Sequence, residues 1–149
     1  MADPEVLIRS LSELDLDDIV RIAEATRAAY QPELWEDRVT YYLRRDPDGS
    51  VVAELDGRVV GFMLGDVRAG EFGLDQPSGW IEVIGVDPQA SGRGIGQAMG
   101  KTMLDRYRNR GVKRVRTMVD RSMPEIERFF VALGFEPDGL RPYVKNLED

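Results

Sequence analysis

Neither cysteine nor histidine occurs among the 149 residues of the chain. The absence of cysteine excludes a disulfide framework and a cysteine acyl-enzyme. The absence of both residue types excludes a Cys or Cys/His zinc site, a Ser-His-Asp triad and a histidine general base. We therefore expect no metal centre, and a carboxylate that acts directly or through water is the simplest candidate for a general base.

Acidic residues outnumber basic ones by 27 to 20, so the formal net charge is −7. Nucleic-acid-binding domains carry a basic patch, so this balance argues against a nucleic-acid partner. It mildly favours a cationic substrate, although acidic surfaces also serve solubility alone.

Long apolar runs are absent, and the amino-terminal sequence Met-Ala-Asp-Pro-Glu has no signal-peptide pattern. We therefore expect no membrane association and a cytoplasmic location. The length is that of one domain with a sizeable core, so we predict a single domain over residues 1–149.

Hydrophobic periodicity and turn signals predict the element order β-α-α-β-β-β-α-β-α-β-β. Asp15 is predicted to cap the first helix, and Pro32 to open the second helix, which the Asp46–Gly49 turn ends. Asp56-Gly57 is a strong hairpin signal between two strands. The predicted strands are Glu5–Arg9, Ser50–Leu55, Arg58–Val67, Trp80–Val86, Arg114–Val119 and short segments near Phe135 and over Tyr143–Leu147.

Two more helices are predicted in the carboxy-terminal half of the chain. The longer one covers Gly94–Arg110, and Gly111 follows it at the position where glycine commonly ends a helix. Ser122 and Glu125 have the spacing of a capping box and open the other helix, which Gly134 ends.

The most informative stretch runs from Val83 to Met99 and joins a predicted strand to a predicted helix through a loop. Gly92, Gly94 and Gly96 let the backbone turn tightly and remove side chains that would block a ligand. Free amide N–H groups and the positive end of the helix dipole converge where the helix begins. This combination predicts an anion site, most naturally one for a pyrophosphate.

Spacing separates the nucleotide-binding loops that compete for this stretch. A Walker-type loop is excluded, because its first glycine would fall on Ile95. The dinucleotide fingerprint places Met99 where its third glycine or alanine belongs, although Asp120 lies roughly where a ribose-binding carboxylate would be. Only about thirty residues follow Asp120, too few for the further strand–helix repeats of that fold. A dinucleotide-binding module is therefore a distant alternative.

The segment Ser91–Gly96 resembles the acyl-CoA loop of the GNAT superfamily of N-acetyltransferases, which has the form R/Q-x-x-G-x-G/A after a strand with a Val-Asp-Pro-like ending. Ser91 departs from the pattern, since the family usually has Arg or Gln there. Backbone amides hold the pyrophosphate in that family, so we expect binding to survive the change. The predicted element order and the closing Leu133-Gly134-Phe135 also match, so the resemblance covers essentially the whole chain.

The resemblance implies an α/β (α+β) fold with a mixed, mostly antiparallel central sheet of six to seven strands, flanked by about four helices. The sheet splays where the strand ending at Val86 separates from the strand Arg114–Val119, and acetyl-CoA lies in that opening as a co-substrate. Its pantetheine arm pairs with backbone groups near Ile84 and Val86. The cofactor-binding residues implied in this way are Ile84, Gly85, Val86, Ser91, Gly92, Arg93, Gly94, Ile95, Gly96, Gln97 and Phe130.

The implied chemistry is direct transfer of an acetyl group from acetyl-CoA to an amine of a small molecule or peptide. Removing the proton from an alkyl amine of pKa ~10.4 at pH 7 costs roughly 4–5 kcal/mol, so a base or a desolvating pocket must help. Glu82 is the first candidate for this base, because it lies on the strand that leads into the cofactor loop, and Asp120 is the second. Both have ordinary alternatives: Glu82 as an ion-paired strand residue, and Asp120 as a turn residue or helix cap.

One position weakens the expectation of catalysis. Many relatives have a tyrosine that protonates the departing thiolate five residues before the Phe of the closing Gly-Phe pair, and Phe130 stands there. The CoA thiolate is a good leaving group, so this loss need not abolish turnover. A non-catalytic acyl-CoA sensor of the same fold stays open as an alternative.

The acceptor site is the least specified part of the resemblance. In this fold the acceptor groove is walled by the first two helices, the loop before the splayed strand and the carboxy-terminal strands. Tyr30, Trp35 and Tyr143 are candidates for lining it, each with a packing or surface alternative. The identity of the amine stays open, and so does the formation of a homodimer, which is common in the family.

Overall fold

A computed structural model describes residues 6–27 and 29–148 and places a five-stranded sheet in the order β1-β2-β3-β4-β5. Strands β1 to β4 pair antiparallel with their neighbours, and β5 pairs parallel with β4. The strands are β1 (Leu7–Ser10), β2 (Val51–Leu55), β3 (Arg58–Arg68), β4 (Ser78–Val86) and β5 (Val115–Thr117), and the helices are α1 (Leu16–Arg27), α2 (Pro32–Arg45), α3 (Ile95–Asn109) and α4 (Pro124–Ala132). The mixed, mostly antiparallel sheet with four helices confirms the predicted fold class.

The chain divides into two compact units after Met118. The first unit contains the sheet with α1, α2 and α3, and the second begins at Val119 and contains α4. No helix among residues 6–27 and 29–148 is long and apolar enough to cross a membrane.

Helices α1 and α2 cover one face of the sheet and form the main core with it. Trp35 of α2 meets Phe62 of β3 edgewise, with 5.5 Å between ring centroids. Burial of large side chains such as these supplies most of the stabilisation of a domain of this size. The buried cluster consists of Leu11, Ile19, Val20, Ile22, Ala23, Trp35, Val39, Tyr42, Val52, Val59, Phe62 and Leu64.

Helix α3 packs on the sheet across strand glycines, which allow an unusually close approach. A Cβ atom at Gly79 would lie 2.5 Å from the ring of Tyr107, and one at Gly65 would lie 2.8 Å from the Tyr107 Oη and collide with the carbonyl oxygen of Trp80. The buried Tyr107 hydroxyl donates to the carbonyl of Gly49 at 2.7 Å. Glycine at these strand positions therefore sets the distance between α3 and the sheet.

The hairpin prediction is confirmed, because Asp56 and Gly57 join β2 to β3 with positive φ angles of 54° and 76°. Two positive φ values are typical of the tight turn that suits the twist of antiparallel strands.

The predicted cap of the first helix is wrong in position. Ser12 is the cap, and a 3-10 turn over Glu13–Asp15 precedes α1. Asp15 closes a capping box instead, since its carboxylate accepts the N–H of Ser12 at 2.9 Å. The same carboxylate pairs with Arg9 at 2.7 Å, which ties β1 to the start of the helical region. The Glu5 end of the predicted first strand lies outside the described residues.

The predicted capping box of α4 is also wrong. Met123 occupies the cap position without a side-chain hydrogen bond, and Pro124 opens the helix. The Ser122 hydroxyl donates to the Asp120 carboxylate at 2.8 Å instead of capping the helix.

The two predicted carboxy-terminal strands do not form, so the described sheet has five strands rather than six to seven. Phe135 instead takes part in the Schellman motif that ends α4. Gly134 has a φ of 95°, and the Phe135 N–H donates to the Phe130 carbonyl at 3.0 Å. Further on, Tyr143, Val144 and Leu147 are 88%, 97% and 85% exposed. This segment therefore buries no apolar face, which removes the main drive for a strand.

We expect Gly65→Ala to lower the free energy of unfolding by about 1–3 kcal/mol, because the added methyl meets a backbone carbonyl that cannot swing away. Urea unfolding followed by circular dichroism measures the change. Gly139→Ala is the control, since nothing lies within 4 Å of a Cβ at Gly139; its effect should stay within about 0.5 kcal/mol. Equal stability of the two variants would contradict the close approach of the Trp80 carbonyl and the Tyr107 hydroxyl to Gly65.

Candidate functional site

Strand β4 loses its partner on one side halfway along its length. Strand β5 pairs only with Gly79–Ile81, and β3 covers the opposite edge as far as Val86. Within the described parts of the chain, no strand pairs with the β5-side edge of Glu82–Val86. The backbone of Ile84, Gly85 and Val86 therefore borders an opening in the sheet, as the splay at Val86 predicts.

A β-bulge lies where this opening begins. Leu64 pairs with Val83 and Gly65 pairs with Ile81, so Glu82 is the extra residue on β4. Bulges redirect a side chain and are frequent next to active sites. The Glu82 side chain, 48% exposed, accepts a hydrogen bond from the Tyr42 hydroxyl of α2 and forms an ion pair with Arg68 of β3.

The partners of Glu82 keep it charged. Burial by itself would raise the pKa of Glu82, but hydrogen bonds from Tyr42 and Arg68 and the nearby charges of Arg68 and Arg38 outweigh it, so the pKa lies below the ordinary value. Burial and the Glu82 carboxylate raise the pKa of Tyr42 well above its usual range. At neutral pH the pair is thus a carboxylate with a protonated phenol as its donor.

Arg68 is itself held in place by a buried carboxylate. Asp66 is fully buried and accepts from Arg68 Nε at 2.8 Å and from Arg45 Nε at 2.7 Å. The guanidinium of Arg68 also lies 5.6 Å from the ring centroid of Trp80. These contacts offset the desolvation of Asp66 and fix the guanidinium that orients Glu82.

The segment after β4 turns sharply before α3. The Asp87 carboxylate accepts the N–H of Gln89 at 3.0 Å and pairs with Arg21 at 2.6 Å. Burial alone would raise the pKa of Asp87, but these two partners lower it overall. The Ser91 hydroxyl donates to the Pro88 carbonyl at 2.9 Å, so this hydroxyl stabilises the turn.

The glycine loop then leads into the amino terminus of α3. Gly92 and Gly94 have φ angles of 82° and 73°, and nothing lies within 4 Å of a Cβ built on either of them. Gly94 is the cap of α3, and Ala98 N–H makes a helical bond to its carbonyl at 3.0 Å. N–H groups at the start of a helix, here from Ile95 onward, point out of its end and favour anions.

The remaining predicted loop residues lie around the same turn. Gly96 and Gln97 are in the first turn of α3. Arg93 is exposed and lines a pocket of about 270 Å³ together with Arg58 and Gln89. The structure thus brings the predicted loop residues together at one end of β4, as the spacing predicts.

The predicted acceptor residues of the first unit lie in different environments. Tyr30 is exposed and lines a pocket of about 270 Å³ with residues of α1 and α2, among them Val20 and Glu24. Trp35 is only 1% exposed, so its ring packs in the core rather than lining an open groove. This burial leaves no open ring surface for an acceptor, so the predicted direct contact of Trp35 with an acceptor does not fit the structure.

Three predicted site residues belong to the second unit. Asp120 is exposed and accepts the Ser122 N–H at 2.8 Å, and its hydrogen bonds with Ser122 lower its pKa. Phe130 is buried between Phe129 and Phe135, with ring centroids 5.0 and 5.1 Å away. Tyr143 is exposed. The contacts of Asp120 fit the turn-residue alternative.

Sequence reasoning missed the residues that hold Glu82. Tyr42 has the spacing of a core residue, and its ring is indeed buried, so the role of its hydroxyl gives no sequence signal. Asp66 is a usable signal, because a carboxylate inside an apolar strand requires a charged partner. Among the described residues, no cluster of His, Cys, Asp or Glu is arranged to hold a metal ion.

Comparison with known proteins places this architecture in a family. A family model for the acetyltransferase (GNAT) family matches residues 16–135. Mycothiol acetyltransferase of Thermobispora bispora is 39% identical over 90 residues, which are 60% of this chain and 30% of that protein. An uncharacterized N-acetyltransferase of Methanocaldococcus jannaschii is 31% identical over 147 residues, which are 97% of this chain and 87% of that protein.

A solved structure extends the likeness to the fold. Aminoglycoside N-acetyltransferase AAC(6')-Iy in complex with CoA superimposes with a TM-score of 0.81 at 19% identity, covering 98% of this chain and 97% of that chain. The chain spans only 28% to 35% of the length of five mycothiol acetyltransferases that it matches.

We expect Tyr42→Phe to raise the pKa of Glu82, because the variant keeps the buried ring and removes one hydrogen bond to the carboxylate. NMR titration of the Glu82 carboxyl carbon measures it. Since the folded-state pKa is depressed, the carboxylate stabilises the fold above its unfolded pKa and loses that effect as the pH falls through the folded pKa. Tyr42→Phe brings the folded-state pKa closer to the unfolded one, so the pH range over which this stabilisation is lost should become narrower.

Tyr41→Phe is the matched control for this titration. The Tyr41 ring is half-exposed and lies beside Tyr42 in the same helix, with 5.1 Å between the ring centroids. Tyr41→Phe also removes a hydroxyl, but it should leave the titration of Glu82 unchanged. The same titration curve in both variants would show that the Tyr42 hydroxyl does not hold the carboxylate.

Proposed function

The chain belongs to the GNAT family of acetyltransferases, and on that premise we propose that it transfers the acetyl group of acetyl-CoA directly to an amine of a small molecule. The observation that carries this proposal is that the free edge of β4, the bulge at Glu82 and the glycine loop before α3 follow one another without a break. The free edge of β4 begins at the bulged Glu82 and runs directly into the glycine loop at the start of α3. A dinucleotide-binding module has no support in this topology, where β4 is flanked by an antiparallel and a parallel neighbour.

The residues around the opening fit the chemistry of acetyl-CoA. The amides of the pantetheine arm can pair with the backbone of Ile84, Gly85 and Val86, which has no strand partner on that side among the described residues. The pyrophosphate fits the Ser91–Gln97 loop, where positive φ angles at Gly92 and Gly94 leave open space and α3 presents its first N–H groups. Arg93 is an exposed cation in the same loop for a CoA phosphate.

The reaction balances without any further reactant. The amine nitrogen attacks the thioester carbonyl carbon, the C–N bond forms, and the C–S bond breaks with departure of the thiolate. An ammonium acceptor gives up two protons in total, one of which ends on the CoA thiol and the other in solvent. We assign delivery of that proton to water, because the sequence has Phe130, which has no proton to give, at the position where many relatives have a tyrosine acid.

The low pKa of Glu82 limits its role. Release of the proton of an ammonium of pKa ~10.4 to water at pH 7 costs roughly 4–5 kcal/mol, and direct transfer to a carboxylate whose pKa lies below the ordinary glutamate value is less favourable still. We therefore assign Glu82 the task of holding the acceptor nitrogen and its departing proton through charge and water. Asp120 stays a prediction as the alternative base.

A small-molecule acceptor is supported by the names of the similar proteins, a mycothiol acetyltransferase and an aminoglycoside N-acetyltransferase. Homodimer formation stays a prediction. A non-catalytic acyl-CoA sensor would bind acetyl-CoA and acetylate no amine, which the following measurements detect.

We expect Gly92→Asp to weaken acetyl-CoA binding about tenfold or more, because a carboxylate within ~5 Å of a phosphate costs about 1–3 kcal/mol at a protein surface. Isothermal titration calorimetry with acetyl-CoA, NAD and ATP in parallel measures it. Gly70→Asp is the control, since Gly70 has a similar φ of 76° and equally open space outside this loop. Preference for NAD or ATP over acetyl-CoA would refute the proposed function.

We expect kcat/KM for an amine acceptor to rise about tenfold per pH unit between pH 6 and 9, because only the neutral amine reacts. Glu82→Gln should lower the rate about 10- to 100-fold and leave this slope unchanged, since Glu82 does not titrate in that range. Stopped-flow or thiol-release assays give both profiles. A plateau near neutral pH that disappears in Glu82→Gln would show instead that Glu82 is the proton acceptor.

A further inference from the structure

Two arginines share the ring of one buried tryptophan near the proposed acceptor end. The guanidinium carbon of Arg27 lies 5.4 Å from the Trp35 ring centroid, and that of Arg38 lies 4.9 Å from it. Trp35 is anchored in the core, so its ring gives both flexible side chains a fixed surface. The packing of Trp35 thus brings two positive charges to one place.

Neither guanidinium has an anionic partner within the described residues. The neighbouring Arg68, Arg45 and Arg21 all pair with carboxylates, whereas Arg27 and Arg38 form no such pair. Arg27 donates only to neutral oxygens, the Thr26 hydroxyl at 3.3 Å and the Ile84 carbonyl at 3.4 Å. Burial and the charge of Arg38 lower the pKa of Arg27, so the two cations repel each other.

The pair faces the place where acetyl transfer is proposed to occur. Arg27 reaches the Ile84 carbonyl on β4, two residues beyond Glu82. Arg38 shares the Trp35 ring with Arg27, and its charge contributes to the low pKa of Glu82. Glu82 is already paired with Arg68 and bonded by Tyr42, so Arg27 and Arg38 remain available to a ligand.

We propose that the acceptor carries a carboxylate as well as its amine, and that Arg27 and Arg38 bind this carboxylate beside Trp35 while Glu82 holds the amine. This inference rests on the proposed function. Guanidinium groups match the two oxygens of a carboxylate in charge and geometry, and an anion between them relieves their mutual repulsion. The substrate class is therefore amino acids and related amines with a carboxylate near the reacting nitrogen, in a protein whose overall charge is −7.

The test compares free amino and diamino acids with the same compounds as carboxamides, using acetyl-CoA as donor. For the wild type, KM should be about tenfold or more lower for the acids than for the carboxamides. Arg38→Gln should raise KM for the acids about 10- to 100-fold, the range typical of a charged hydrogen bond, and leave the carboxamides and acetyl-CoA within about twofold. Arg38→Lys should retain part of the preference, because it keeps the charge and loses the two-pronged geometry.

Arg44→Gln is the matched control, since Arg44 is an exposed arginine of the same helix, and it should leave both acceptor classes unchanged. Thermal unfolding of each variant identifies any that fails to fold. Equal use of acids and carboxamides by the wild type would overturn the proposal, and so would an equal effect of Arg38→Gln on both. The proposal would also be overturned if the wild type used succinyl-CoA faster than acetyl-CoA and Arg38→Gln removed this preference. The arginines would then bind the acyl donor.

Failure of the proposed function has a different signature. The protein would then bind acetyl-CoA and release no CoA thiol with any amine, acid or carboxamide, and the carboxylate site would be rejected together with catalysis.

Discussion

The unequal length of two neighbouring strands is the constraint on which the rest of the site depends. Strand β4 has nine residues and β5 has three, so the parallel ladder ends at Ile81. The Thr117 side chain marks this end, because its hydroxyl donates to the Ile81 carbonyl at 2.8 Å. The backbone of Ile84, Gly85 and Val86, which we assign to acetyl-CoA, lies beyond that point and would be covered if β5 were longer.

The charges beside the opening are arranged in two different ways. Asp66, Arg68 and Glu82 form a paired chain whose members fix one another, so a half-buried carboxylate can remain ionised at the bulge. Arg27 and Arg38 are held by an aromatic ring and have no such pairing within the described residues. A chain with a net negative charge thus has, among the described residues, two positive charges without a carboxylate partner at one place. This local feature indicates an anionic ligand more strongly than the net charge does.

The sequence predicts best those features that depend on backbone conformation. The positive φ values of Gly92 and Gly94, the Asp56-Gly57 hairpin and the helix end at Gly111 all occur where local spacing places them. Features that depend on distant partners are predicted less well. The sequence alone suggests Asp15 as a helix cap, because it does not show the 3-10 turn or the contact with Arg9. The contact of Tyr42 with Glu82 likewise depends on the packing of α2 on β4, and so does the role proposed for Arg38.

The errors near the carboxyl terminus have the same origin. Residues 143–147 include the apolar side chains of Tyr143, Val144 and Leu147, but such a segment forms a stable strand only when another element covers its apolar side. Tyr143 and Leu147 remain exposed, so the pattern alone was insufficient. Trp35 is the reverse case, since this aromatic residue, predicted to line the groove, is buried in the core and contacts two arginines through its ring.

An unpaired stretch of backbone attracts strands of other chains as readily as it attracts a substrate. The contact of Arg27 with the Ile84 carbonyl is long, at 3.4 Å, and therefore easily exchanged for a small ligand. A second protein chain would have to displace and desolvate the whole charged side chain to dock there. The same arginine can thus protect the open edge against aggregation while leaving it accessible to a cofactor.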